Sequence, residues 1–347
     1  MNKKKLGILG GGQLGMFICK SAKKFGIHTS VFSTTRDFSA KKFCDQLYIG
    51  EFSNKKKIKE FLNTSDFFTI ETENIPSFLL DKINGEKKLY PSSNIVKISQ
   101  NRMREKTFLN SISGVETAKF SSVNSYSELK NKIEDFHFNA IIKSCEFGYD
   151  GKNQYRVNKD NILKFVDKNL TNYIIEEFVD YKKEISVIVA KNKKEMVFYP
   201  PVENVHKNSI LKETTYPANL DINMHNNSLK IAKKIAEKIE LQGLLAVEMF
   251  VLKNNKILVN ELAPRPHNSG HWTIDSCKYS QYDNLILSIF ENKPKDPVPH
   301  KNCKMVNIIG YEYEKIDSLK KNYKCYDYLK KEIKPKRKMG HYIIFND

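Results

Sequence analysis

Over the first 70 residues, short apolar runs at 6–9, 29–32, 46–49 and 66–70 alternate with helical patterns. That alternation predicts a parallel sheet, because parallel neighbours need a long crossover rather than a tight turn. The first run leads into Gly10-Gly11-Gly12-Gln13-Leu14-Gly15 and a helix through Lys24. The fourth is followed by Glu71-Thr72-Glu73-Asn74-Ile75-Pro76. A helix near Ser99 carries Arg102 and Lys106 and ends around Ser113-Gly114, and Ser125 with Glu128 reads as a capping box. Strands then dominate at 140–145, 173–179, 184–190 and 195–199. Residues 227–241 form an amphipathic helix with Leu229, Ala232, Ile235, Ala236 and Ile239 on one stripe, and Gly243 as its C-cap. After Pro294, Pro297 and Pro299 comes a lysine-rich segment with short strands. The expected fold class is α/β with α+β, in units 1–98, 99–290 and 291–347.

The 347 residues suit two or three domains. A net charge of +18 raises the question of a polyanion surface, but the lysines are spread from end to end among asparagines and isoleucines. The tightest clusters, Lys55-Lys56-Lys57 and residues 334–338, have no interleaved aromatics to stack bases, so no nucleic-acid partner is expected. The six cysteines show no C-x-x-C spacing, the N-terminus has no signal-peptide pattern and no apolar run reaches membrane-spanning length. A cytoplasmic protein with reduced thiols and no membrane partner is expected.

The runs 244–252 and 257–262 are joined by Lys253-Asn254-Asn255-Lys256, a hairpin signal. With Asn254 and Asn255 as the turn pair, Glu248 falls opposite Glu261. Opposed Cβ atoms lie roughly 4.5–5.5 Å apart, where like charges repel. Apolar neighbours on both strands make a divalent cation the natural remedy, and Mg²⁺ takes one or two carboxylates plus phosphate oxygens. The alternative is a slipped register with two solvated glutamates.

Gly10-x-Gly12-x-x-Gly15 fits the dinucleotide fingerprint, yet the second strand ends in Ser33-Thr34-Thr35-Arg36 and lacks the acid that holds a ribose. Either the amides of Gln13 and Leu14 hold a phosphate of another ligand, or the loop is a tight turn that binds nothing. Lys143 sits on a strand before the glycine-containing loop 147–154, where a lysine reaches phosphoryl oxygens; an ordinary hairpin is the alternative. Glu176-Glu177-Phe178-Val179 and Glu184 offer carboxylates and backbone to an adenosine, or are a solvated strand end. Arg265 suits bidentate anion recognition, with His267, Asn268 and Ser269 beside it. Trp272 reads as core.

These residues occur in the order expected of ATP-grasp enzymes. More narrowly, residues 12–15, 148–151, 260–273 and 337–341 resemble the 5-(carboxyamino)imidazole ribonucleotide synthase family over nearly the whole chain. The resemblance implies a pre-ATP-grasp domain, a central ATP-grasp domain and a small β-rich C-terminal domain. It implies ATP contacts from Arg102, Lys106, Lys143, Gly148, Tyr149, Asp150, Gly151, Lys152, Asn153, Gln154, Glu176, Glu177, Phe178, Val179, Glu184, His206, Asn260 and Glu261. Glu248 and Glu261 are implied as ligands of Mg²⁺, with two ions expected. Gln13, Leu14, Tyr149, Arg265, His267, Asn268, Ser269, Lys331, Arg337 and Lys338 are implied for 5-aminoimidazole ribonucleotide and activated bicarbonate.

The activity implied is ATP-dependent carboxylation of that ribonucleotide through carboxyphosphate, in purine biosynthesis, by a homodimer. Lys143, Arg265 and Asp150 are the candidate catalytic residues. Three departures stand out: Lys152-Asn153 replaces the usual arginine–glycine pair, Ala263 stands where many ATP-grasp enzymes have a metal-binding asparagine, and little follows His341. The rival readings are a formate-dependent or biotin-carboxylase-like ATP-grasp ligase, a nicotinamide-dependent dehydrogenase on the glycine loop, and a basic binding module.

Overall fold

The computed structural model describes residues 4–146, 153–290 and 293–346. Strands β1 (Lys5–Leu9), β2 (His28–Ser33), β3 (Gln46–Ile49), β4 (Phe67–Ile70) and β5 (Lys88–Tyr90) form a parallel sheet in the order β3-β2-β1-β4-β5. The strand order reverses between β1 and β4, which opens a crevice beyond their C-terminal ends. Helix α1 (Gln13–Lys24) covers one face, with Leu14, Phe17 and Ile18 against Leu6, Ile8 and Val31. Helices α2 (Lys55–Leu62), α3 (Ser77–Glu86) and α4 (Ser93–Ser99) cover the other, burying Phe61, Leu79, Ile83 and Val96 over Leu9, Phe68 and Ile70.

The helix expected from near Ser99 to Gly114 is one helix, Arg102–Asn110, which begins after α4 has ended at Ser99. Asn101 takes an extended backbone and its side chain accepts the Arg104 N–H at 3.1 Å, so α4 stops and α5 (Arg102–Asn110) begins anew. A second sheet follows, made of β6 (Phe120–Val123), β7 (Ala140–Ser144), β8 (Gln154–Val157) and β9 (Tyr173–Glu177) in the order β6-β9-β7-β8. Helix α6 (Tyr126–Lys132) packs on it through Leu129. Ser125 accepts the Glu128 N–H at 3.1 Å, but Glu128 returns to Asn124 N–H rather than to that of Ser125, so half of the expected capping box forms.

The third sheet has nine strands among the described residues. These are β10 (Tyr181–Lys191), β11 (Met196–Phe198), β12 (Val202–Lys207), β13 (Ile210–Tyr216), β14 (Gly243–Leu252), β15 (Ile257–Ala263), β16 (Cys303–Ile309), β17 (Lys324–Asp327) and β18 (Lys338–Phe345). The order is β15-β14-β10-β12-β13-β16-β18-β17, with β11 paired to β10. Strands beyond residue 300 thus continue the same sheet as β10–β15. Helix α7 (Ile222–Lys238), capped by Asp221 at 2.9 Å from Met224 N, lays Ile231, Ala232, Ile235 and Ala236 on β10 and β14. Gly243 is not its C-cap: the chain reverses at exposed Glu240 (φ 54°), held between buried Ile239 and Leu241, and Gly243 opens β14. Helices α8 (Thr273–Ser276) and α9 (Gln281–Ile289) follow β15. Ser21 and Lys24 of α1 both bond Asp283 of α9, at 2.8 and 3.0 Å, tying the parallel sheet to the large one.

Candidate active site

Glu248 lies opposite Glu261, as counted from the sequence, but by a different route. The loop is not a two-residue Asn254-Asn255 turn. Leu252 N–H bonds Lys256 O at 2.8 Å, leaving three loop residues, of which Asn255 is left-handed (φ 62°). That is the geometry of a three-residue hairpin, and it shifts Val251/Ile257 to Met249/Val259 by one position from the expected register. Asn260 then bulges, and the pairing is restored at Glu248/Glu261. Because side chains alternate along a strand, the bulge also brings Glu261 to the side of Glu248 and Phe250.

Helix α5 grips three successive residues at this bulge. Arg102 Nη1 lies 3.3 Å from Glu261 Oε2, Lys106 Nζ reaches Asn260 O at 3.4 Å, and Glu105 Oε1 accepts the Leu262 N–H at 2.8 Å. Burial, reinforced by Glu261, pushes the Glu105 carboxyl up to about 8. Lys106 also lies 3.3 Å from Glu176 Oε2, and Lys143 Nζ reaches the same oxygen at 2.9 Å. Burial would raise the Glu176 carboxyl, but Lys106 and Lys143 outweigh it and hold it at about 2. Burial in turn lowers Lys143. Two ammonium groups on one carboxylate leave positive charge in a dry place, and Glu176 Oε1 is buried without a hydrogen-bond partner among the described residues.

Beyond Glu176, residues Glu177, Phe178 and Val179 line the same cleft, and Arg156 stacks on the Phe178 ring at 3.6 Å. Glu184 pairs with His206 Nδ1; burial depresses the imidazole, but Glu184 prevails and its pKa is raised. Tyr181 stacks on Phe250 with centroids 4.6 Å apart. Gln154 lies beside Lys143 on β8, and Asn153 is left-handed (φ 53°). Gly148, Tyr149, Asp150, Gly151 and Lys152 lie outside the described residues.

The other end of the cleft is built on Arg265. Its Nη2 lies 3.0 Å from Glu73 Oε1 and its Nε pairs with Glu73 Oε2. Burial alone would raise Glu73 and lower Arg265; the pair reverses both, and each stays charged. His267 Nε2 lies 3.0 Å from Glu248 Oε1, and its Nδ1 meets Ser269 Oγ at 2.8 Å. Burial is again overcome at Glu248, whose carboxyl His267, His206 and Arg265 hold at about 2. Asn268 and Lys338 reach the cleft, Asn268 also pairing with Asn307. Ser269 is fully buried and bonds Ser186 at 2.7 Å instead of lining the cleft. Lys331 and Arg337 do not line it either: the Lys331 N–H and the Arg337 guanidinium both face Asp37, at 3.2 and 3.6 Å. Trp272 is core, stacked on Tyr216 at 4.2 Å. His271 and His341 stack on each other at 4.6 Å inside an aromatic cluster, each bonded through Nδ1 to a tyrosine hydroxyl at 2.9 Å.

The glycine loop holds an anion supplied by the chain itself. Glu71 accepts the N–H groups of Gly12 and Gly15, the latter at 2.7 Å, and so caps α1. A Cβ at Gly12 would sit 2.8 Å from Glu71 Oε1, so the glycine is needed to admit this carboxylate. Gln13 and Leu14 face the cleft next to it. The sequence alone assigns Glu71 and Glu73 no role. Their signal was position: an E-x-E directly after β4, at the point where strand order reverses. Tyr181 and Phe250 carried no comparable signal, since their stacking depends on the β10–β14 register.

Gln13, Leu14, Glu71, Glu73, Arg102, Lys143, Glu176, Glu184, His206, Glu248, Glu261, Arg265 and His267 open on one cleft of about 730 Å³. Three family models match the chain: a ribonucleotide synthetase preATP-grasp domain over 3–100, an ATP-grasp domain over 109–282, and a phosphoribosylaminoimidazole carboxylase C-terminal domain over 303–347. The N5-carboxyaminoimidazole ribonucleotide synthase of Bacillus subtilis is 35% identical over 342 residues, covering 97% of this chain and 90% of that one. The Brucella melitensis enzyme of the same name is 34% identical, with coverages of 97% and 94%. An ADP complex of an N5-carboxyaminoimidazole ribonucleotide synthetase superposes with a TM-score of 0.95 at 34% identity, covering 100% and 95% of the two chains. The Aspergillus clavatus synthase, solved with ADP and 5-aminoimidazole ribonucleotide, gives 0.91 at 29% identity, covering 99% and 94%.

Proposed function

The chain belongs to the N5-carboxyaminoimidazole ribonucleotide synthase family of ATP-grasp ligases, and from that premise we propose how its cleft carries out ATP-dependent carboxylation of 5-aminoimidazole ribonucleotide. The observation that carries the assignment of roles is that one cleft joins Lys143 and Glu176, backed by buried Lys106, to Arg265, and is lined by Glu248 and Glu261 as well.

Bicarbonate oxygen attacks the γ-phosphorus of ATP, the bond to the β-phosphate oxygen breaks, and ADP leaves. The carboxyphosphate so formed releases CO₂ and inorganic phosphate, and the exocyclic amine of the ribonucleotide attacks CO₂ and loses a proton to give the N-carboxylate. Lys106 and Lys143 neutralise phosphoryl oxygens, Glu184 and the 176–179 segment hold the nucleoside, and Arg265, oriented by Glu73, steadies the carboxyphosphate. Gln13, Leu14, His267, Asn268 and Lys338 face the ribonucleotide. Asp150 remains the candidate for the amine proton.

Glu248 and Glu261 fit Mg²⁺. They are paired across the hairpin, Glu248 is held ionised, and two carboxylates leave room for phosphate oxygens. Bound there, the ion would offset phosphate charge. Family resemblance supports a homodimer, and six free thiols suit the cytoplasm. A coupled assay tests the reading: ADP release must depend on both bicarbonate and 5-aminoimidazole ribonucleotide, and release independent of the ribonucleotide overturns it.

A further inference from the structure

We propose that Glu105 is a positioning residue: by accepting the Leu262 N–H it sets the Asn260 bulge and thereby brings Glu261 opposite Glu248. The inference rests on the reading of Glu248 and Glu261 as the Mg²⁺ end of the nucleotide site.

A bulge places one unpaired residue in a strand, and something outside the ladder must fix where it falls. In this hairpin the loop alone gives the wrong register, since pairs from Val251/Ile257 to Met249/Val259 are offset by one from the Glu248/Glu261 pair. A regular ladder would put Asn260 opposite Glu248 and turn Glu261 to the other side. The correction coincides with α5. Lys106 holds Asn260 O, Arg102 faces the Glu261 carboxylate, and Glu105 takes the Leu262 N–H.

The three contacts are not equivalent. Arg102 and Lys106 also belong to the charged cluster around Glu176, whereas the hydrogen bond of Glu105 goes to backbone immediately after Glu261. Glu105 is 2% exposed, so water has little access to take its place. The shape of the acceptor, a side-chain oxygen at glutamate length, is what the bulge requires.

The test compares Glu105→Gln, Glu105→Asp and Glu105→Met by calorimetric titration of ADP, in EDTA and across a Mg²⁺ series. Gln retains an acceptor oxygen at the same reach; Asp keeps the carboxyl group but draws its oxygen back by one methylene. The expected result is a near wild-type Mg²⁺ requirement for Glu105→Gln. Glu105→Asp and Glu105→Met should need about 10–100-fold more Mg²⁺, the range for lost outer-shell support, with metal-free ADP affinity unchanged. A wild-type-like Asp variant with an impaired Gln variant would show that the carboxyl group rather than its reach matters, and overturns the proposal. So does an equal loss of metal-free ADP affinity in every variant, or no change in any. If Glu105→Met does not fold, the Gln–Asp pair decides. Glu261→Gln separates the two levels: if it leaves Mg²⁺-dependent ADP binding intact, the metal reading itself fails.

Discussion

Glu176 Oε2 accepts from Lys143 at 2.9 Å and lies 3.3 Å from Lys106, so a single carboxylate oxygen is shared by two buried ammonium groups. With Lys143 replaced by methionine, Glu176 keeps a cationic partner in Lys106. Lys143→Met should therefore melt close to the wild type while kcat/KM falls by about 10²–10³, the loss typical of one preorganised charge-stabilising group. ADP-release kinetics and a thermal melt on the same sample check both halves.

Arg265 and Glu73 make the matching pair at the far end of the cleft. Arg265→Lys keeps the charge but loses the two-pronged contact, and about a 10²-fold fall in turnover is expected from misplacement alone. Glu73→Gln leaves a buried guanidinium without its counter-charge and should lower unfolding free energy by about 3–5 kcal/mol. Urea denaturation distinguishes the two, since Arg265→Lys should change stability much less.

At the glycine loop, Glu71→Ala removes the acceptor shared by Gly12 and Gly15 N–H. Loss of such a cap costs about 1–2 kcal/mol. Because Gln13 and Leu14 begin α1 and face the cleft, the KM for the ribonucleotide should rise while that for ATP stays the same. Unchanged kinetics with lowered stability would make Glu71 purely structural.

Acid sensitivity has a specific origin. Burial holds His341 at about 3 and His271 well below its ordinary value. The unfolded chain therefore binds these protons first, near pH 6.5. Stability is full above that pH and declines as pH falls toward the folded value, by up to about 1.4 kcal/mol per pH unit for each imidazole. Glu176, held at about 2, acts in a lower window: its contribution is present above its unfolded pKa near 4.3 and is lost as pH falls to about 2. Between pH 4.5 and 6.5 the two histidines together outweigh Glu105, whose raised pKa acts in the opposite sense, and His341→Phe should flatten the curve of urea midpoint against pH there.

Much of the architecture could be read in advance, because its determinants are local. Alternating strands and helices gave away the parallel sheet, and Asn260-Glu261 through Thr273 carried the site. What escaped was set by distant partners. The Glu248/Glu261 pairing was anticipated from a two-residue turn that does not exist, and the actual three-residue loop and the Asn260 bulge cancel. Nothing in the hairpin's own residues reveals that, since the bulge is held by α5, more than 150 residues away. The glycine loop misled in a similar way. Its spacing records a need for close approach by an anion, and only the fold identifies the anion as Glu71. Ser269 looked like a ligand for its company, yet its hydroxyl is spent on Ser186 and His267.

The continuous third sheet has a consequence for how this chain can be divided. Strand β13 is paired along Glu213–Tyr216 with β16, and buried Met305, Met339 and Ile343 fasten the strands beyond it. A chain cut before residue 303 would bare a row of unpaired backbone groups on β13, next to apolar surface, the combination that invites edge-to-edge association. Such a truncation creates an aggregation seam rather than a smaller enzyme.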